Sequence, residues 1–232
     1  MHILCLKHVP FEGPASIAEW ALQRGHTLSE CPVYEGNSLP PLEEFDLLLV
    51  MGGPMNIYEE ETYPWLNTEK AFIREAIDSG KYVIGICLGG QLIADILGAA
   101  VTKGKEVEIG WLPVQRAESC PNAFKFPEEL RVFHWHGDTF GIPEGAVRLA
   151  GSPGCRNQGF LYGNRVLAWQ CHLETTPASL ASLTTHCGHE IRPGKYTMPV
   201  SMMQAEPAST YKRMQSVLFN LLDELSQRKS AL

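Results

Sequence analysis

Residues 82–91 read Tyr82-Val83-Ile84-Gly85-Ile86-Cys87-Leu88-Gly89-Gly90-Gln91. A run that is apolar on successive positions ends at a cysteine and passes directly into a helical stretch through Leu97. Apolar residues on successive rather than alternate positions mark a strand covered on both faces, as in a parallel sheet. Glycines two positions before and two after Cys87 leave room where the strand and helix backbones pass closely around a sharp turn. This is the thiol counterpart of a nucleophile elbow: the cysteine points out of the sheet, and the start of the following helix favours its thiolate. Read alone, the same pattern fits a core cysteine beside incidental glycines, so the rest of the chain decides between the two.

Working outward, Glu43–Met51 contains a second such run, Leu47-Leu48-Leu49-Val50-Met51, stopped by Gly52-Gly53-Pro54. His2–Leu6 reads as a first strand, ended by Pro10 and Gly13. Helical spacing predicts Ser16–Arg24, with Ile17, Trp20, Ala21 and Arg24 on the 3–4 spacing, and Trp65–Ser79, with Leu66, Ala71 or Phe72, Ala76 and Ile77 inward and Gly80 at the cap. Strand, helix, strand, helix with short joins implies an α/β fold with a parallel sheet. From Ala99 to Gln170 the pattern changes to short strands, among them Glu108–Gln115, Arg131–His136, Val147–Ala150 and Val166–Gln170, which suit an antiparallel extension of the same sheet. Two helices close the chain. One opens at Thr176-Pro177, an N-cap followed by proline, with Leu180, Leu183 and Cys187 on one face. The other runs from about Pro207 to Arg228 with Tyr211, Met214, Leu218, Leu221 and Leu225 as its stripe, and Arg228 and Lys229 complement its dipole. Arg192–Gln204 reads as a Pro/Gly-containing loop, a candidate lid or partner surface. No repeat or low-complexity tract interrupts the chain, and a single domain over residues 1–232 is expected.

Composition narrows the classes. At 232 residues and 44% hydrophobic content, the chain can bury a core and is neither a disulfide-stapled miniprotein nor mainly disordered. A net charge of −7 argues against general nucleic-acid binding. Seven scattered cysteines form no oxidised framework and point to a reducing, cytoplasmic setting. No signal-peptide pattern and no membrane-length apolar run is present, so a soluble protein is expected.

A nucleophile needs a base and an orienting group. His172-Leu173-Glu174 follows the apolar strand Val166–Gln170, and two residues apart on an extended segment both side chains face the same way. Glu174 can then hold His172 in the required tautomer. Gly52-Gly53-Pro54 lies at the end of a neighbouring buried strand, where α/β sheets open onto their ligand crevice. The Gly53 and Leu88 N–H groups there are candidates for an oxyanion hole. Alone, His-x-Glu reads as a strand-end ion pair and Gly-Gly-Pro as a turn.

Taken in order, Gly52-Gly53-Pro54, Gly85-x-Cys87-x-Gly89-x-Gln91 and His172-x-Glu174 resemble the class I, triad-type glutamine amidotransferases. The stretch Gly52–Tyr58, with Tyr63-Pro64-Trp65-Leu66, looks most like the amidotransferase domain of GMP synthase and its stand-alone relatives. His134–Asp138, Asn157-Gln158 and Gln170–Glu174 fall in the family's order, so the resemblance covers about residues 45–175. It implies an open, mixed but mostly parallel flavodoxin-like sheet flanked by helices. Cys87 would attack the side-chain amide of glutamine, His172 would move the proton, Glu174 would orient His172, and Gly53 and Leu88 would hold the oxyanion. Gly52, Gln91, His136, Gly137 and Asp138 match the pocket for the amino-acid end of the substrate, with Asp138 countering its ammonium. No cofactor, metal, nucleic acid or membrane is implied. The partners implied are L-glutamine or a γ-glutamyl compound. Because 232 residues hold no ATP-pyrophosphatase domain and no Gly-x-x-x-x-Gly-Lys-Ser/Thr loop, any synthetase is expected to be a separate protein, or else the chain releases its product to water.

Two departures stand out: Leu173 replaces the family's proline between the triad residues, and Cys171 replaces a commonly aromatic residue. A γ-glutamyl peptide hydrolase using the same triad, and a non-catalytic binding protein on a retained fold, remain as alternatives. His134 and His136 with Cys171, His186, Cys187 and His189 form a loose metal-ligand set without a Cys-x-x-Cys pair. Cys5, Cys31, Cys120 and Cys155 read as small apolar fillers or surface thiols, and the five tryptophans as core or pocket walls.

Overall fold

The computed structural model describes residues 1–36 and 38–227. Parallel pairing joins β1 (His2–Lys7), β2 (Thr27–Pro32), β3 (Leu47–Val50), β4 (Tyr82–Ile86) and β9 (Val166–Trp169) in the order β9-β4-β3-β1-β2. The chain's middle extends this sheet from β9. β8 (Gly159–Tyr162), β7 (Ala146–Gly151) and β5 (Val101–Arg116) follow by antiparallel pairing, and β6 (Glu129–Phe140) pairs with β5. The result is the mixed, mostly parallel α/β sheet expected.

The successive apolar residues of β1 and β3 are divided between two cores. Ile3, Cys5, Leu47 and Leu49 face one, together with α1 (Ser16–Gln23), α4 (Pro177–Cys187), α5 (Val200–Gln204) and α6 (Ala208–Gln227). Leu4, Leu6, Leu48 and Val50 face the other, under α2 (Trp65–Asp78) and α3 (Leu88–Ile96). A strand sandwiched in this way has no polar face to display, which is why its sequence does not alternate.

The helix signals hold. Thr176 and Ser179 form a reciprocal capping box with Pro177 at the first helical position. Gly80 lies past the end of α2 at φ 73°, the left-handed conformation a C-terminal glycine supplies. Met214, Leu218, Leu221 and Leu225 are buried as the stripe of α6, whereas Arg228 and Lys229 lie outside the described residues. Three features differ from expectation. Arg192–Gln204 is not simply a loop: it carries β10 (Tyr196–Thr197), parallel to β5, and the helix α5. β5 starts at Val101 rather than Glu108, because a register break between Lys103 and Glu108 hides its alternation. The edge strand β2 has only Cys31 fully buried and so lacks an apolar signature.

Candidate active site

The carboxyl ends of β3, β4 and β9, three neighbours in the sheet, bring together Gly52-Gly53, Cys87 and His172. Cys87 sits at φ 51°, ψ −107° between β4 and α3. A β-carbon on Gly85 would lie 2.5 Å from the Gly89 backbone, and one on Gly89 would lie 2.1 Å from the Val50 carbonyl oxygen. Both glycines are thus required by the closeness of the backbones that force the cysteine into its strained turn. Gly90 has the same role toward β9, where a β-carbon would meet the Trp169 carbonyl at 2.8 Å.

His172 is set by a backbone bond from its N–H to the Phe133 carbonyl on β6, 2.8 Å, a single bridge beyond β9. Its Nδ1 meets Glu174 Oε1 at 2.7 Å, and its ring borders the same cavity as the Cys87 thiol, which donates to the Trp135 carbonyl at 3.7 Å. Both His172 and Glu174 are about 5% exposed. Burial pulls the imidazolium down, but the Glu174 carboxylate and the Cys87 sulfur outweigh it, so His172 is held well above its usual value. The Glu174 carbonyl also caps the start of α1, accepting from Ser16 N–H at 3.1 Å.

Gly52 lies between these groups: a β-carbon there would be 3.6 Å from Cys87 Cβ and 3.4 Å from His172 Cε1. Its carbonyl accepts from His8 Nδ1 at 2.9 Å, and His8 Nε2 meets Glu69 Oε1 at 2.9 Å. The Gly52 carbonyl can only accept, so His8 Nδ1 carries a proton, and a Glu69 carboxylate favours a second one on Nε2. Burial works against that charge, yet Glu69 and the Gly52 carbonyl raise His8 above its usual pKa. Among the described residues, neither Gly53 N–H nor Leu88 N–H has a hydrogen-bond partner.

The thiol opens on a cavity of about 290 Å³ whose walls include Gly53, Gln91, Trp135, Gly137 and Asp138. That is the low end of the range for small-molecule sites. Gln91 and Asp138 therefore reach the same space as Cys87. His136 also borders it, but its ring is committed elsewhere: Nε2 to Glu108 at 3.1 Å and Nδ1 to the Asp138 carbonyl at 3.0 Å. Gly52 is placed beside Cys87 and His172 rather than on the cavity wall.

The sequence assigns no role to several residues here. Gln170 bridges Gln91 and the thiol, with its Oε1 3.2 Å from Gln91 Nε2 and its Nε2 3.6 Å from Cys87 Sγ. Glu12, from the loop after β1, borders the cavity beside His172 and Glu190. Burial raises the Glu12 carboxyl, with Glu174 and Glu190 pushing the same way and His172 and His8 opposing. Behind the wall, Glu108 accepts from His136, from Ser152 Oγ at 2.6 Å and from Gln158 Nε2 at 2.6 Å. Burial favours its neutral form, but these donors and nearby His134 win and lower its pKa.

Potential metal ligands are distributed differently from the sequence-derived set. His186 stacks on Phe11 at 4.3 Å, and Cys171 is fully buried below the Gln158 carbonyl. Among the described residues, donors converge only at Glu108, His136 and Cys155, whose ligand atoms lie within 4.8 Å of one another. With its carboxylate already taking three hydrogen bonds, that group is a self-satisfied polar network. Cys5, Cys31, Cys120 and Cys155 are buried fillers rather than surface thiols. Trp20, Trp111 and Trp169 are core, whereas Trp135 is a cavity wall.

The class-I glutamine amidotransferase family model matches residues 15–184. The chain belongs to the class I glutamine amidotransferases. It is 37% identical over 233 residues to the glutamine amidotransferase-like protein YfeJ of Salmonella typhimurium, covering 97% of this chain and 98% of that one. A solved glutamine amidotransferase from Thermotoga maritima superposes with a TM-score of 0.90 at 32% identity, over 98% and 99% of the two chains. One subunit of the glutamine-hydrolysing GMP synthase of Thermoplasma acidophilum is 34% identical over 136 residues, 57% of this chain and 65% of that protein. Membership makes the chain one of the glutamine-hydrolysing cysteine enzymes. No helix among the described residues is long and apolar enough to cross a membrane.

Proposed function

We propose that this amidotransferase acts as one catalytic domain over residues 1–232 and hydrolyses the side-chain amide of L-glutamine through Cys87, His172 and Glu174. The observation that carries this reading is a strained cysteine that shares a cavity with a histidine whose Nδ1 is held by a buried carboxylate. His172 takes the thiol proton, and the thiolate attacks the amide carbon. The oxyanion is received by the Gly53 and Leu88 N–H groups, both otherwise unpartnered among the described residues. His172 then protonates the departing nitrogen, and ammonia leaves a γ-glutamyl thioester. A water that gives its proton to His172 hydrolyses the thioester to glutamate and restores the thiol. Asp138 faces the substrate ammonium, Gln91 and Gly137 line its amino-acid end, and Gly52 and His136 shape the walls from behind. The resemblance to one subunit of a glutamine-hydrolysing GMP synthase supports delivery of ammonia to an acceptor on a separate synthetase partner. Seven free cysteines suit a reducing cytoplasm.

Glutamate release from glutamine, a γ-glutamyl dipeptide and glutathione, followed for wild type and Cys87→Ala, tests this. Glutamine is expected to be the best of the three substrates, and Cys87→Ala to remove turnover without changing the melting temperature. Faster dipeptide cleavage would make the chain a γ-glutamyl peptidase. No turnover, combined with no labelling of Cys87 by a glutamine-analogue electrophile, would make it a binding protein.

A further inference from the structure

A second cavity, of about 710 Å³, lies on the other side of His136 from the thiol. Its charge runs against that of the chain: Lys105, Arg116, Arg148 and Arg156 line it against one acid, Glu106, in a protein of net charge −7. The side chains of Lys105, Arg148 and Arg156 have no ion pair or hydrogen bond among the described residues. Arg116 is already oriented, donating to the Cys120 carbonyl at 3.1 Å and to Asn122, while its buried Nε is unpaired. The loop presenting Arg156 is rigid. Ser152 N–H donates to the Cys155 carbonyl at 2.7 Å, Ser152 Oγ is tied to Glu108, and a β-carbon on Gly151 would lie 2.5 Å from the Arg156 carbonyl oxygen. Unpaired cations gathered around a concavity repel one another, and an anion seated among them relieves that repulsion. The volume suits a small molecule, larger than a bare anion. We propose that this cavity binds a phosphorylated small molecule. Its phosphate would lie against Arg148 and Arg156, and its body against the Gly151–Gly154 loop.

Ribose 5-phosphate, inorganic phosphate and ribose are the probes, titrated calorimetrically into the full chain at constant ionic strength. Saturable one-to-one binding of ribose 5-phosphate is expected, at least tenfold weaker in Arg148→Gln/Arg156→Gln and unchanged in Cys87→Ala. Ribose should not bind, and inorganic phosphate should compete. Absence of saturable ribose 5-phosphate binding, or equal affinity in the double variant, would overturn the proposal. Binding of inorganic phosphate alone would overturn the assigned ligand class. Because the readout is binding, the result is independent of whether Cys87 hydrolyses glutamine.

A second inference comes from His8 and Glu69, which the triad chemistry leaves unused, and it rests on the glutaminase reading. Carbonyl and N–H of a trans peptide point in opposite directions. With the Gly52 carbonyl turned toward His8, the Gly53 N–H of the same peptide is turned away from it. A charge-assisted bond to that carbonyl also polarises the peptide and makes its N–H a stronger donor. The geometry points to His8 and Glu69 as positioning residues for the oxyanion peptide. His8→Asn is expected to lower kcat about 10- to 100-fold, less than outright loss of an oxyanion donor at its upper limit, with KM nearly unchanged. Alkylation of Cys87 by iodoacetamide, which forms no oxyanion, should keep its wild-type rate. Glu69→Gln keeps an acceptor for His8 and gives a smaller kcat loss, which preserves the test should His8→Asn fail to fold. Equal slowing of alkylation and turnover, or no slowing of turnover, overturns the assignment. Failure of the glutaminase reading would instead appear as an inert wild type.

Discussion

Two buried His–Glu pairs flank Gly52, one on each side. His172–Glu174 faces the thiol, and His8–Glu69 grips the Gly52 carbonyl from behind. Their local chemistry is nearly the same: an imidazole within 2.9 Å of a carboxylate, shielded from water, with its pKa raised against the pull of burial. What differs is the group each imidazole meets next. One adjoins a thiol, which can give up and recover a proton, whereas the other adjoins a carbonyl that can only accept. A buried His–Glu pair is therefore no evidence of acid–base chemistry by itself; its second neighbour decides.

Substitutions can break this contrast. His172→Ala should have the largest effect, a loss of kcat of about ten-thousand-fold or more by analogy with removal of a triad base, measured as glutamate release. Glu174→Gln should follow at about a thousand-fold, because the amide can still orient the ring but does not stabilise the imidazolium. Gly52→Ala tests the shared hinge. Its β-carbon would lie 2.6 Å from Glu12 Oε2 and 3.4 Å from His172 Cε1, so Glu12 must be displaced and kcat should fall about tenfold at an unchanged fold.

The His8 pair also predicts a stability signature. His8 is raised above its unfolded value, so its contribution is fully present below about pH 6.5 and is lost as pH rises through the higher folded value. The difference in denaturant stability between wild type and His8→Asn should accordingly be larger at pH 6 than at pH 9, and a difference that grows with pH would contradict the charged-imidazole assignment. The smallest effect is expected for Glu12→Gln. Turnover at neutral pH should stay within about threefold, while the acid limb of the rate profile moves because a carboxyl beside His172 no longer titrates.

The two pairs also differ in how legible they were. His172 and Glu174 are two residues apart on an extended segment, so strand periodicity alone puts them on one face. His8 and Glu69 are 61 residues apart, on a loop after β1 and on α2, and no local period relates them. Glu12 and Gln170 were likewise hidden, since a loop carboxylate and a strand-end amide have many ordinary uses. Among strands, β1, β3 and β4 announced themselves because both faces are covered, whereas β2 and β10 are held by backbone pairing and leave little trace in side-chain pattern.

From residue order alone came the parallel α/β class, the elbow at Cys87 and the His-x-Glu pair, all of which depend on spacing within a few residues of one strand or turn. Only the folded chain decided that the ends of β3, β4 and β9 meet. It also turned the His136 ring away toward Glu108, set a buried imidazole behind the Gly52–Gly53 peptide and gathered four cations around a second cavity. These are long-range relations. They follow from how the sheet orders its strands and how two cores close over it, and local chemical preference does not encode them.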